Sequence, residues 1–135
     1  LAEEMVRVAR ASFPLAEVAA VLPVPRHWLK RRLHGFNAAE LLACAIARSL
    51  EKPCVPDALR QRRWTATQTR LTWRERARNV QGAFTAQGRS VGRRTVLLVD
   101  DVLTSGATAH ACARALRDAG VPRVFVLTAA RTPLG

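Results

Sequence analysis

Apolar and polar positions fall along this chain in blocks that predict helices and short strands in turn. Met5, Val6, Val8 and Ala9 recur at roughly helical spacing among charges, which predicts an amphipathic helix over 2–11 that ends before Pro14. Val18–Val24 (VAAVLPV) is a short apolar run closed by Pro23 and Pro25, and predicts a buried strand. Asn37, followed three residues later by Glu40, has the form of a capping box. Leu42, Ile46 and Leu50, with Leu41 and Ala45, then make a helical stripe that Pro53 stops. Residues 54–59 predict a further short strand. Val96–Val99, after Arg94, predicts a strand buried on both faces. Ala107–Ala119 predicts a helix with Ala111, Cys112, Ala115 and Leu116 inward, Gly120 at its C′ position and Pro122 beyond. Val124–Leu127 predicts a last strand. Strands alternating with helices at this spacing need crossovers, so the pattern implies parallel βαβ units. Residues 60–79 break it: their apolar positions have no period long enough for a core element. Only the pair Thr72 and Glu75 predicts a short helix there, over 73–79.

The chain's 135 residues suit one domain spanning 1–135, and 49% apolar residues exclude wholesale disorder. Cys44, Cys54 and Cys112 are far apart, odd in number and without CxxC spacing. That argues against a disulfide scaffold or a zinc site and for a reducing compartment, each thiol reading as a small core residue. No apolar run is long enough to span a membrane, and the N-terminus is no signal peptide. A cytoplasmic location is the expectation. Because the chain begins with Leu rather than Met, a fragment or processed form is also expected.

Charge changes the picture. Twenty-two Lys+Arg against ten Asp+Glu give a formal +12, and all but Lys30 and Lys52 of these cations are Arg. The excess is uneven. Residues 1–59 hold eight cations and six acids, and residues 95–135 hold four Arg and three Asp. Residues 60–94 hold ten Arg and only Glu75, a net +9. Base composition alone would spread arginine evenly, so a basic loop over about 60–82 facing an anion is the better account.

The densest chemistry lies in VLLVDDVLTSGAT, residues 96–108. Two acids, Asp100 and Asp101, follow an apolar strand. Thr104, Ser105, Gly106, Ala107 and Thr108 then open a helix. Ligands of open α/β sheets bind at the carboxyl ends of strands. Backbone N–H groups and hydroxyls at a helix start suit a phosphate. The carboxylates would repel phosphate and instead accept hydrogen bonds from sugar hydroxyls. A phosphorylated sugar satisfies the whole stretch. A generic phosphate loop, or an Asp pair holding Mg2+ as in receiver-like folds, remains open on these residues alone. No Walker loop exists, and His27, His34 and His110 form no catalytic pattern.

This stretch resembles the signature of type I phosphoribosyltransferases, which bind phosphoribosyl pyrophosphate (PRPP). The basic segment carries a second likeness. Thr65, Gln68, Leu71, Arg76, Asn79, Gly82 and Phe84, in TATQTRLTWRERARNVQGAF, sit at spacings similar to the competence-associated ComF/GntX branch of that family. His34-Gly35-Phe36-Asn37-Ala38 resembles an earlier family element, with His34 in place of Arg and Ala38 in place of Gln. The resemblance runs from about Val18 to Thr132. It implies an α/β fold with a mostly parallel twisted sheet and flanking helices. It implies that Asp100 and Asp101 hold the ribose 2′ and 3′ hydroxyls and Thr104–Thr108 the 5′-phosphate. It implies Mg2+ bound with PRPP, so that the two Asp touch the metal only indirectly. Pro25 and Arg26 lie where relatives place a pyrophosphate turn. The resemblance likewise implies that Thr65, Gln68 and Asn79 belong to a loop in which Arg76, with Arg74 and Arg78 as further candidates, covers the leaving pyrophosphate. The zinc-ribbon-like segment that usually precedes this domain is absent from these residues.

The implied activity is phosphoribosyl transfer from PRPP to a nitrogen nucleophile, with pyrophosphate released. A second function of another class is a DNA-uptake accessory that binds single-stranded DNA beside competence-machinery proteins. The +9 segment, with Trp64 and Trp73 among its arginines, has the cationic and aromatic character that single strands favour.

Overall fold

The computed structural model describes residues 1–26, 37–62, 74, 82–87, 91–103 and 106–131. Helix α1 (Ala2–Ser12) buries Met5, Val6 and Ala9 and stops at Phe13, whose extended backbone leads into Pro14. A 3-10 turn then feeds β1 (Val18–Pro23). Helix α2 (Ala38–Leu50) starts at Asn37, whose side chain accepts from the Ala39 N–H at 3.1 Å and donates to the Val24 carbonyl at 3.1 Å. One buried amide thus caps the helix and fixes it to the end of β1.

Two short strands, β2 (Leu59–Gln61) and β3 (Phe84–Ala86), pair antiparallel. The last unit is β4 (Thr95–Leu103), α3 (Ala107–Asp118) and β5 (Val124–Arg131). The parallel sheet has the order β1-β4-β5, which makes β4 central. The expected α/β class with a parallel sheet is what the chain forms.

Side chains alternate across this sheet as the pleat requires. Leu22, Val96, Leu98 and Val126 point to one face, where they meet α3, β2 and β3 through Leu116, Cys112, Leu59 and Phe84. Val21, Leu97, Val99 and Leu127 point to the other, where they meet Met5 and Ala9 of α1 and Ala43, Ile46 and Leu50 of α2. Burial on both faces explains why the strands read as unbroken apolar runs. Phe13 stacks on Phe125 at 5.0 Å. Arg123 lies over the Phe125 ring and pairs with Glu17 at 2.7 Å, tying the end of α1 to the start of β5.

Helix α3 ends as its sequence predicts. Gly120 takes φ +106, its N–H donates to the Arg117 carbonyl at 3.0 Å, and the Val121 N–H donates to the Leu116 carbonyl at 3.0 Å. That is a Schellman closure, with Val121 and Leu116 in the same apolar cluster.

Four expectations need correction. The acids do not follow the strand, because β4 runs on through Asp100 to Leu103, pairing Asp100 with Thr128 and Val102 with Ala130. The apolar run ended at Val99 only because the strands there leave the cover of the helices; Val102 is 42% exposed. Residues 54–59 form no continuous strand. Cys54 makes a single parallel bridge to Val21, and a 3-10 turn over Pro56–Ala58 follows. Pro53 and Pro56 lack the N–H groups a ladder needs on either side of that bridge. In α2 the inward line is Ala39, Ala43, Ile46, Ala47 and Leu50, and Leu41 is 63% exposed. Small residues on the inner face let the helix lie close to the sheet, and Leu-counting missed them. Finally, Cys112 is buried as expected, but Cys44 and Cys54 are half-buried with their sulfurs 3.0 Å apart. The short helix expected over 73–79 lies outside the described residues apart from Arg74, which is helical and exposed.

Candidate active site at the carboxyl end of the sheet

Asp100 and Asp101 sit where the central strand emerges from its helical cover, and both are half-buried. Successive residues of a strand face opposite sides, yet these two carboxyls interact. The Asp101 N–H donates to Asp100 Oδ1 at 2.8 Å, and the Val102 N–H donates to Asp101 Oδ1 at 3.0 Å. Burial pushes the Asp100 carboxyl up to about 7, helped by a hydrogen bond to, and the negative charge of, the Asp101 side chain. The Asp101 backbone N–H and the Arg26 guanidinium pull the other way. Arg26 therefore stands close enough to the pair to act on its charge. Cys112 lies beneath. Its thiol is raised well above the ordinary range by burial and then by the charge of Asp100.

Gly106 caps α3 at φ +84, a left-handed conformation that disfavours side chains. A Cβ there would meet only Leu103 Cδ1 at 4.0 Å, so backbone conformation rather than space selects glycine. Ala107 and Thr108 are the first two helical residues, both half-buried. The first turn of α3 holds no acid, which leaves its dipole favourable to an anion. Asp100, Asp101, Gly106, Ala107 and Thr108 thus share one end of one βα unit. Thr104 and Ser105 fall outside the described residues, as do Thr65, Gln68, Arg76 and Asn79.

Pro25 and Arg26 follow β1 at the same end of the sheet. They border a cavity of about 320 Å³ whose other walls include Glu40 from the first turn of α2 and Asp57, Leu59, Arg60 and Gln61 from the turn and strand beyond Cys54. Sequence reasoning gives Glu40 only as a cap and misses Asp57; it counts Arg60 and Gln61 in the basic loop, whereas they belong to β2, paired with β3. No local motif marks the four as neighbours, since only tertiary folding brings α2 and β2 to the end of β1. Among the described residues, no three His, Cys, Asp or Glu side chains gather as a metal cage. The donor set fits Mg2+ as it occurs with phosphates, held mainly by substrate oxygens and water. Asp100 and Asp101 would act on it only indirectly, through the bound substrate. No helix of the described residues is long and apolar enough to cross a membrane.

No protein-family profile matches the chain. Curated relatives do. Competence protein F of Haemophilus influenzae is 32% identical over 128 residues, which is 93% of this chain and 56% of that protein. The DNA utilization protein YhgH of Escherichia coli O157:H7 is 37% identical over 107 residues, 79% of this chain and 45% of the relative. This chain is a homologue of Competence protein F and YhgH. It spans about half the length of these relatives. Its fold is that of the phosphoribosyltransferases. Adenine phosphoribosyltransferase from Rhodothermus marinus superposes with a TM-score of 0.61 at 18% identity, covering 96% of this chain and 78% of that one. An allosteric regulatory enzyme of purine biosynthesis superposes with a TM-score of 0.62 at 22% identity, covering 95% of this chain and 24% of that one. At these identities the structural likeness speaks for the fold alone.

Proposed function

We propose that this homologue binds Mg2+–PRPP at the carboxyl end of β4 and transfers its phosphoribosyl group to a nitrogen nucleophile, releasing pyrophosphate. The observation that carries this reading is the adjacent carboxyl pair of Asp100 and Asp101, set on the central strand beside the start of α3. A phosphate alone would be repelled there, and a sugar with free hydroxyls would not. Asp100 and Asp101 accept the ribose 2′ and 3′ hydroxyls. Thr104 through Thr108 take the 5′-phosphate against the α3 N-terminus. Pro25 and Arg26, with the segment containing Thr65, Gln68, Arg76 and Asn79, face the pyrophosphate. When bound with PRPP, Mg2+ would supply charge neutralisation for the diphosphate. Arg26 and Arg76 add cationic hydrogen bonds to the same oxygens. An intracellular metabolite as donor suits a cytoplasmic protein.

A thermal-shift series tests this. Mg2+–PRPP should raise the melting temperature in a concentration-dependent way, more than pyrophosphate or nucleobases do. No rise with PRPP at saturating Mg2+ would contradict it.

The names of the relatives favour a second reading, in which the arginine-rich segment binds single-stranded DNA. Arg60, Arg62 and Arg74 are exposed. Oligonucleotide binding would then weaken steeply with salt, and Ala at Arg74, Arg76 and Arg78 would flatten the slope. An unchanged slope would count against it.

A further inference from the structure

Among the described residues, two thiols outside this site stand in close contact. Cys44 is on α2, and Cys54 is in the one-residue bridge alongside β1. Rigid backbone holds both. The bridge is fixed by the Val21 N–H donating to the Pro53 carbonyl at 2.9 Å and the Val55 N–H donating to the Val21 carbonyl at 3.0 Å. Helix α2 is fixed by Ala43, Ile46 and Ala47 packed against the sheet. The Sγ atoms are thereby held 3.0 Å apart, and a disulfide needs about 2.05 Å. Bond formation asks the two sulfurs to approach by about 1 Å. Both thiols are half-buried, open to a small oxidant, whereas Cys112 is fully buried.

We propose that Cys44 and Cys54 are a dithiol–disulfide pair, a modification site that a low-molecular-weight disulfide such as oxidised glutathione oxidises reversibly. One protein thiolate attacks the small disulfide, forms a mixed disulfide and expels one thiolate. The second protein thiolate then attacks the protein sulfur of that mixed disulfide and expels the other. The two protons given up by the protein end on the two released thiols. The bond staples two walls of the cavity at the end of β1. Glu40 lies one turn before Cys44 on α2, and Asp57 lies three residues after Cys54. The pair holds whatever ligand that cavity takes, so it stands independently of the PRPP reading. Burial, together with the neighbouring Cys44 and the charge of Glu40, pushes the Cys54 thiol up to about 12, so oxidation is slow at neutral pH and speeds up in alkali.

Trypsin makes the test direct, because cleavage after Arg48 separates the two cysteines into peptides 33–48 and 49–60. The protein is incubated with oxidised glutathione at about pH 8 until its mass stops changing; one portion is weighed without reductant, and a second is alkylated and digested. The expected product is a single chain lighter by about 2 Da, in which those two peptides are joined by a bond that dithiothreitol breaks. The Cys54→Ser variant should instead stop with glutathione on Cys44. Both peptides recovered singly alkylated, a wild-type chain that also stops at the mixed disulfide, or a link between two chains would each overturn the proposal.

Discussion

At the scale of single residues, Asp100 carries the sharpest expectation. Its carboxyl is raised from its ordinary value to about 7, so ionising it costs more in the folded chain than in the unfolded one. Stability from this group is complete below about pH 4 and is lost as pH rises through 7. Asp100→Asn keeps an oxygen for the Asp101 N–H and removes the charge. In urea titrations the variant should gain stability over wild type at pH 8 and lose that advantage at pH 4. An equal difference at both values would contradict the assigned shift. Asn37 is the structural counterpart. Its amide caps α2 and satisfies the buried Val24 carbonyl, so Asn37→Ala should cost about 2 kcal/mol, read as a lower denaturation midpoint. The cap was legible from Asn37 and Glu40 in sequence. The bond to Val24 was not, because nothing local links positions 13 residues apart.

At the scale of elements, the end of α3 was the most legible feature. Gly120 with Pro122 beyond it announces a left-handed closure, and the bonds from Gly120 and Val121 supply it. Gly120→Ala should therefore cost about 1 kcal/mol through backbone conformation alone. The added Cβ would meet Arg93 Cγ at 3.6 Å, an ordinary contact. A melting temperature equal to that of wild type would contradict this. Strand ends were less legible. Apolar runs mark where a strand is covered, and β4 and β5 continue past their cover at Asp100 and Thr128. Short pieces held by one bridge, such as Cys54, leave no period to read at all.

At the scale of the whole molecule, the fold followed from the apolar runs of β1, β4 and β5 separated by helices. The cavity and the sulfur pair did not follow, since both depend on how α2 and the segment after Pro53 meet beside β1. Of the candidate site, Asp100, Asp101, Gly106, Ala107 and Thr108 were legible as one local motif, because a single βα unit builds it. Arg26 was placed only by resemblance, and the structure puts it within electrostatic reach of Asp100. The parallel sheet is what brings the ends of β1 and β4 together, and the proposed chemistry depends on that convergence. Calorimetric titration of PRPP with Mg2+ into wild type and the Asp100→Asn/Asp101→Asn variant tests it most directly. Loss of charged acceptors for the ribose hydroxyls should weaken binding about tenfold or more. Equal affinity in the two proteins, with the variant folded, would contradict the site.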